Sequence, residues 1–254
     1  MIDINYISLG VGIIGVSLAI VFFYKSRRIK RILYTHKSFV ILSETTTSLP
    51  NFSATYQDEP VTRLKASKLL VWNSGSDTIV ANDFASTAPL KVTLPENTQI
   101  LEAMLIGSST YANKTTIIVT TDHMNEAKID FEYLGKGEGF VLSVLHTSLD
   151  DEPTIEGIIK GSSEPKKFSE KIWKKRMIQL GSYILFMYGF YVFPGLLKVY
   201  NPFIVGTFFA ILIISLLFFV FRLDKKSNPK LDALFDSSFE PNDFRSSNPS
   251  TPKK

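Results

Sequence analysis

The stretch "KIDFEYLGKGEGFVLSVLHTS", residues 128–148, decides the fold class of this chain. In its first part Ile129, Phe131 and Tyr133 alternate with Asp130 and Glu132. That period of two gives a strand one buried face and one wet face, the pattern of an antiparallel sheet. The glycine-rich "GKGEG" then supplies turn chemistry, and "FVLSVL" resumes with a run rich in Val and Leu. Working outward, "SFVILSE", "KLLVWN", "DTIVAND", "LKVTL", "QILEAMLIG", "TTIIVTT", "AKIDFEYL", "GFVLSVLHT" and "IEGIIKG" are short runs of the same kind. Turn-formers such as "NSGSD", "GSSTYANK" and "LDDEP" separate them. Residues 38–165 are therefore predicted to form an all-β, immunoglobulin-like sandwich, long enough for one core.

Within it Trp72 stands in a strand that is apolar on both sides, and we expect it to anchor the sandwich core. Asn73 and Gly75, in "WNSGSDTI", mark a tight turn in which Gly75 is expected to take a positive φ. Asp83 is expected to bond its own turn, Tyr133 to share the buried face of its strand, and His146 to pack or hydrogen-bond near a strand end.

The charge of the chain is segregated. The whole chain of 254 residues carries a formal +4, yet residues 38–165 hold 17 acids against 8 Lys or Arg, a formal charge of −9. An acidic domain is repelled by phosphate backbones, so nucleic acid is not an expected partner.

The cations lie beside two apolar stretches. Residues 6–24 contain no charged side chain, and residues 177–221 contain only Lys198. A bilayer-spanning helix needs about 20 apolar residues. The first stretch is read as one span and the second as a hairpin of two, turning at "KVYNP" with Pro194-Gly195 kinking or ending the second helix. The expected organisation is a transmembrane anchor over 1–24 and a basic juxtamembrane segment over 25–37. The sandwich over 38–165, a second basic segment over 166–176, the hairpin over 177–221 and a largely disordered tail over 222–254 follow.

The leading "MIDIN" lacks the basic n-region of a secretory signal, so the first span is read as a retained anchor. Cations flank the cytoplasmic ends of membrane helices. Lys25, Arg27, Arg28, Lys30, Arg31 and Lys37, the cluster Lys166 to Arg176, and Arg222, Lys225, Lys226 and Lys230 all place the sandwich and tail inside and the N-terminus outside. Trp173 suits the aromatic belt at the interface. Localisation to the inner membrane, with lipids as partners, is the expectation.

Gly10, Gly12 and Gly15 spell G-x-G-x-x-G, but a dinucleotide loop must follow a strand and open a helix. Here the glycines lie inside an uncharged span. Ser8, Gly12, Gly15 and Ala19 instead form one small-residue helix face, and Gly206 with Ala210 forms another small pair. Such faces suit close helix packing and homo-oligomers.

Chemistry is sparse. There is no cysteine. The three histidines, His36, His123 and His146, share no local motif, so no metal site and no cofactor are expected. Ser143 or Ser148 with His146 and an Asp would make a triad on paper, but no G-x-S-x-G elbow accompanies them. No catalytic residue is assigned and no enzyme is expected.

In the tail, Leu231, Leu234 and Phe235 stand at i, i+3 and i+4, with Phe239 one turn on. That amphipathic face is expected to lie on the membrane or on the chain's own domain. The alternative is a docking peptide for a partner groove.

One coupled set of motifs extends this reading. W-N-x-G-x-x-x-I-x-x-x-D, F-x-Y-L, L-H-T and I-K-G, present between residues 60 and 162, resemble a domain that recurs in uncharacterised bacterial membrane proteins. The resemblance implies attachment to membrane helices and brings no activity or site residue. Two functions remain. One is an interaction or sensing module held at the membrane for a cytoplasmic protein. The other is a membrane-perturbing effector, for instance in phage defence, whose helices oligomerise on a signal sensed by the sandwich.

Overall fold

The computed structural model describes residues 27–43, 53–120, 123–148, 150–169 and 227–237, with single helical positions at 12, 15, 18, 19, 22, 23, 26, 178 and 181. Among the described residues thirteen strands run in chain order: β1 (Ile32–Leu42), β2 (Thr55–Tyr56), β3 (Glu59–Pro60), β4 (Leu64–Asn73), β5 (Ile79–Val80), β6 (Lys91–Thr93) and β7 (Ile100–Ser108). They continue as β8 (Thr116–Val119), β9 (Glu126–Asp130), β10 (Tyr133–Leu134), β11 (Gly139–His146), β12 (Thr154–Glu156) and β13 (Lys166–Lys167). Each run quoted from the sequence contains strand. The protein is β-rich and sandwich-like.

A five-stranded sheet has the order β13-β1-β4-β11-β7, and a four-stranded sheet has the order β12-β6-β9-β8. Neighbours are antiparallel except β13, which runs parallel to β1 with Leu33 opposite Lys166. The strand period of two sorts the side chains of β4 into two rows. Leu69 and Val71 enter the core between the sheets, with Phe140, Leu142 and Val144 from β11 and Val92, Ala127, Ile129 and Ile155 from the facing sheet. Leu70 and Trp72 point the other way. The alternation read from the sequence holds: Ile129 and Phe131 are buried, Tyr133 is half-buried, and Asp130 and Glu132 are exposed.

Both β11 and nearly all of β4 are buried on both faces. A two-layer antiparallel sandwich leaves its outer faces wet. Here a third layer intervenes. The tail helix, Pro229–Asp236, lies on the outer face of the five-stranded sheet, where Leu231 and Phe235 pack with Leu33, Leu70, Trp72 and Val141. Residues Ile29–Phe168 and Lys225–Lys254 accordingly form one compact unit, and Met1–Arg28 with Ser169–Asp224 forms another.

Four expectations change. Residues 32–37 of the segment 25–37 are not juxtamembrane linker but the start of β1, with Ile32 and Tyr34 in the core. The cations on either side had masked their alternation. Trp72 is buried, but under the tail helix and edge-on to Phe168 at 5.5 Å, not in the core between the sheets. Gly75 has no positive φ. Its constraint is close approach, since a Cβ there would be driven into the Ile29 carbonyl. Residues 166–167 of the second basic segment are not juxtamembrane linker but β13, paired with β1. The tail helix expected from Leu231, Leu234 and Phe235 is present and lies on the chain's own domain. Among the described residues no helix is long and apolar enough to cross a membrane. The stretches 6–24 and 177–221 fall almost wholly outside those residues.

Candidate interaction face beneath the tail helix

The helix starts where the sequence can stop an extended chain. Asn228 caps it, its side chain accepting from the Lys230 amide at 3.0 Å, and Pro229 occupies the first turn, where no amide donor is needed. Asp232 lies in the first turn, favourable to the helix dipole. The last turn closes as the Ser237 amide donates to Ala233 and the Ser237 hydroxyl donates to the Leu234 carbonyl at 2.7 Å. An isolated helix of this length is marginal in water. Its stability comes from the apolar face, where fully burying a Leu or Phe contributes roughly 1.5–3 kcal/mol.

The sheet is shaped to receive it. Leu231 is fully buried and Phe235 nearly so, with Leu234, Ile106 and Phe168 at the margin. Gly107 on β7 leaves room for Leu234, whose Cδ1 would lie 3.1 Å from a Cβ at that position. Two lysines collect at the helix C-terminus, where unpaired carbonyls gather negative partial charge. Lys68 donates to the carbonyl and the hydroxyl of Ser237, each at 3.2 Å. Lys37 pairs with Asp236 and stands 4.7 Å above the Phe235 ring. Lys230, at the other end, donates to the Ser109 carbonyl at 3.4 Å.

The remaining sequence-selected residues are scaffold. Asn73 donates to the carbonyls of Asp77 and Leu134 at 2.7 and 2.9 Å, and its side-chain oxygen accepts from the Gly75 amide. It ties the turn after β4 to β10. The Tyr133 carbonyl accepts from Asn113 at 2.8 Å. Asp83 accepts from the Val80 amide, closing its own turn, and from Lys30 at 2.6 Å. Burial pushes its carboxyl upward, but the Lys30 and Val80 hydrogen bonds outweigh this and hold it below its ordinary value. Gly12, Gly15 and Ala19 are helical, while Ser8, Gly206, Ala210 and Phe239 lie outside the described residues.

His146 is fully buried at the end of β11. Its Nε2 meets the Ser67 hydroxyl at 2.8 Å, and Ser67 meets the Ser38 hydroxyl at 2.8 Å. Neither serine hydroxyl paired with it on paper meets the imidazole. Ser143 sits on the opposite face of β11, and Ser148 bonds the backbone of Asp151. Ser67 and His146 have the spacing of a nucleophile and its base, but both lie wholly inside the protein, where no substrate reaches them. Burial, then the nearby charge of Lys65, push the imidazole pKa down to about 4, so it is neutral at physiological pH. His36, in β1, bonds Glu152 at 2.9 Å, and Lys167 reaches the same carboxylate. Among the described residues no three His, Cys, Asp or Glu converge as a metal site would require.

The helix face is legible in the sequence, but its receptor is not. Lys37 and Lys68 read as ordinary strand or flank cations. The available signal was that "KLLVWN" is apolar on both faces. No protein-family model, no curated protein and no solved structure matches this chain.

Proposed function

We propose that this chain is a multi-pass protein of the bacterial inner membrane whose acidic, immunoglobulin-like sandwich is a cytoplasmic interaction or sensing module. The observation that carries the reading is the docking of Pro229–Asp236 on the sandwich that ends at Lys167. A helix and the sheet it packs on share one aqueous compartment. The apolar stretch 177–221 between them then crosses the bilayer an even number of times, and its length suits two crossings. The cations flanking each stretch favour the cytoplasmic side. The strand by which the chain enters the sandwich and the strand by which it leaves lie side by side, with Leu33 opposite Lys166, which suits a domain tethered at both ends.

The chain has no native cysteine, so single cysteines report topology directly. In intact spheroplasts an impermeant maleimide is expected to label Asn201→Cys. Lys136→Cys and Ser246→Cys are expected to react only after permeabilisation. Labelling of Lys136→Cys from outside would overturn the reading.

A second reading is favoured by the first stretch. Gly12 and Gly15 are helical, and among the described residues a Cβ at either meets nothing within 4 Å. That open face suits close packing between copies. It supports an effector whose helices oligomerise and perturb the bilayer on a signal from the sandwich. Loss of membrane potential on overexpression, absent in Gly12→Leu with Gly15→Leu, is the expected signature. An unchanged potential in both removes this reading.

A further inference from the structure

Lys68 lies on β4 in a row with Ala66, Leu70 and Trp72, and only 1% of it is exposed. An ammonium so buried costs free energy unless acceptors meet it. Those it meets include both oxygens of Ser237 at the end of the tail helix. Lys37, one strand over, meets Asp236 and the Phe235 ring. The sheet thus reads a helix in two ways. An apolar row takes side chains at i, i+3 and i+4, and a pair of lysines takes the helix C-terminus with an acid at i+5. The helix in place is short and rests on three apolar side chains, so its hold is modest, and its tether supplies a high local concentration.

We infer that this face is a receptor for short amphipathic helices ending in an acidic residue, and that residues 229–237 are its resident, displaceable occupant. The partner is a protein carrying a helix with the same spacing of two or three large apolar residues and a terminal acid. It docks when the tail leaves, so the tail sets the threshold for engagement. This rests on the sandwich being an interaction module, and it names that module's surface and its regulation. Peptide binding by the purified chain is independent of topology, so failure here leaves the maleimide result standing, and the reverse holds too.

The probe is a fluorescent peptide of residues 227–240, titrated into the full chain in nanodiscs. Two variants vacate the face by different means: Leu231→Glu with Phe235→Glu, which removes the apolar contacts, and Ala233→Pro, which breaks the helix. Both are expected to bind the peptide at least tenfold more tightly than the wild type. Adding Lys68→Met is expected to weaken that binding about tenfold, and a scrambled peptide is expected not to bind. The inference is overturned if a variant that keeps the wild-type unfolding transition binds no better than wild type. It is also overturned if the scrambled peptide binds equally, or if both variants lose the transition, since the helix is then a fixed part of the core.

Discussion

Lys68 Nζ lies 3.2 Å from the carbonyl oxygen of Ser237, a bond between β4 and the end of a helix 169 residues further along the chain. It replaces water at a buried ammonium with the carbonyl of a helix terminus. Hydrogen bonds to charged groups contribute roughly 1.5–3 kcal/mol. Lys68→Met keeps the length and removes the charge. We expect proteolysis within residues 225–240 to rise about tenfold while the sandwich melts within a few degrees of wild type. Equal tail protection in both proteins would count against this role of Lys68.

Leu231 and Phe235 are the apolar anchors of the same contact. Large-to-small changes at buried positions cost about 2–5 kcal/mol. For Leu231→Ala or Phe235→Ala the loss falls on helix docking, so hydrogen exchange in the tail is expected to reach unprotected rates while β4 and β11 keep their protection. Exchange rising equally in tail and sheet would mean the two do not separate.

Trp72 offers an optical reading of the third layer. It is buried under the helix with Phe168 at its edge, and Trp173 is the only other tryptophan. In a Trp173→Phe background, releasing the tail by Leu231→Glu with Phe235→Glu is expected to red-shift the emission and raise iodide quenching. An unshifted spectrum would place Trp72 in an environment independent of the tail.

Acid should act through His146. Its pKa is about 4 in the folded protein against 6.5 for the free side chain. Between those values the unfolded chain binds a proton that the folded one does not, so stability rises with pH across this window and is lost as pH falls from 6.5 towards 4. The effect is on the order of 3 kcal/mol. Glu152 is held at about 2 by Lys167 and His36, so its contribution is lost only below about 4.5. We expect His146→Gln to flatten the denaturant midpoint between pH 6.5 and 4 while leaving the fall below 4 intact. A wild-type midpoint that is flat over the upper window would contradict the burial of a neutral imidazole.

Gly75 packs against the backbone of Ile29, whose carbonyl accepts from the amides of Ser76 and Asp77 at 2.8 and 3.2 Å. Gly75→Ala forces these backbones apart. A loss of about 2–4 kcal/mol in chemical unfolding is expected, in the range of overpacked or strained sites. A loss below about 0.5 kcal/mol would show that the segment yields freely.

The strands were legible because alternation and turn chemistry are local. Ile129, Phe131 and Tyr133 carry the period within five residues, and Asn73 and Gly75 mark the turn that they build. The reason for Gly75 was not legible, because the atom that excludes a side chain belongs to Ile29, far away in sequence. The start of β1 was hidden for a related cause. Ile32 and Tyr34 alternate correctly, but Lys30, Arg31 and Lys37 made the region read as a charged flank. The candidate site divides in the same way. Leu231, Leu234 and Phe235 declare a helix face by spacing alone. Lys37, Lys68 and Gly107 become its receptor only when β1, β4 and β7 are placed in one sheet. Nothing local joins Ser67 to His146.

The most direct measurement is a crosslink in the native membrane. Gly107 and Leu234 approach within side-chain contact across the sheet–helix boundary, whereas Ile118 is exposed on the four-stranded sheet. In an otherwise cysteine-free chain, Gly107→Cys with Leu234→Cys is expected to form a reducible intramolecular disulfide in isolated membranes under mild oxidation. Ile118→Cys with Leu234→Cys is expected not to. Efficient bridging of the first pair alone is what a tail docked on the outer sheet predicts. No bridge in the first pair, or equal bridging in both, would contradict it.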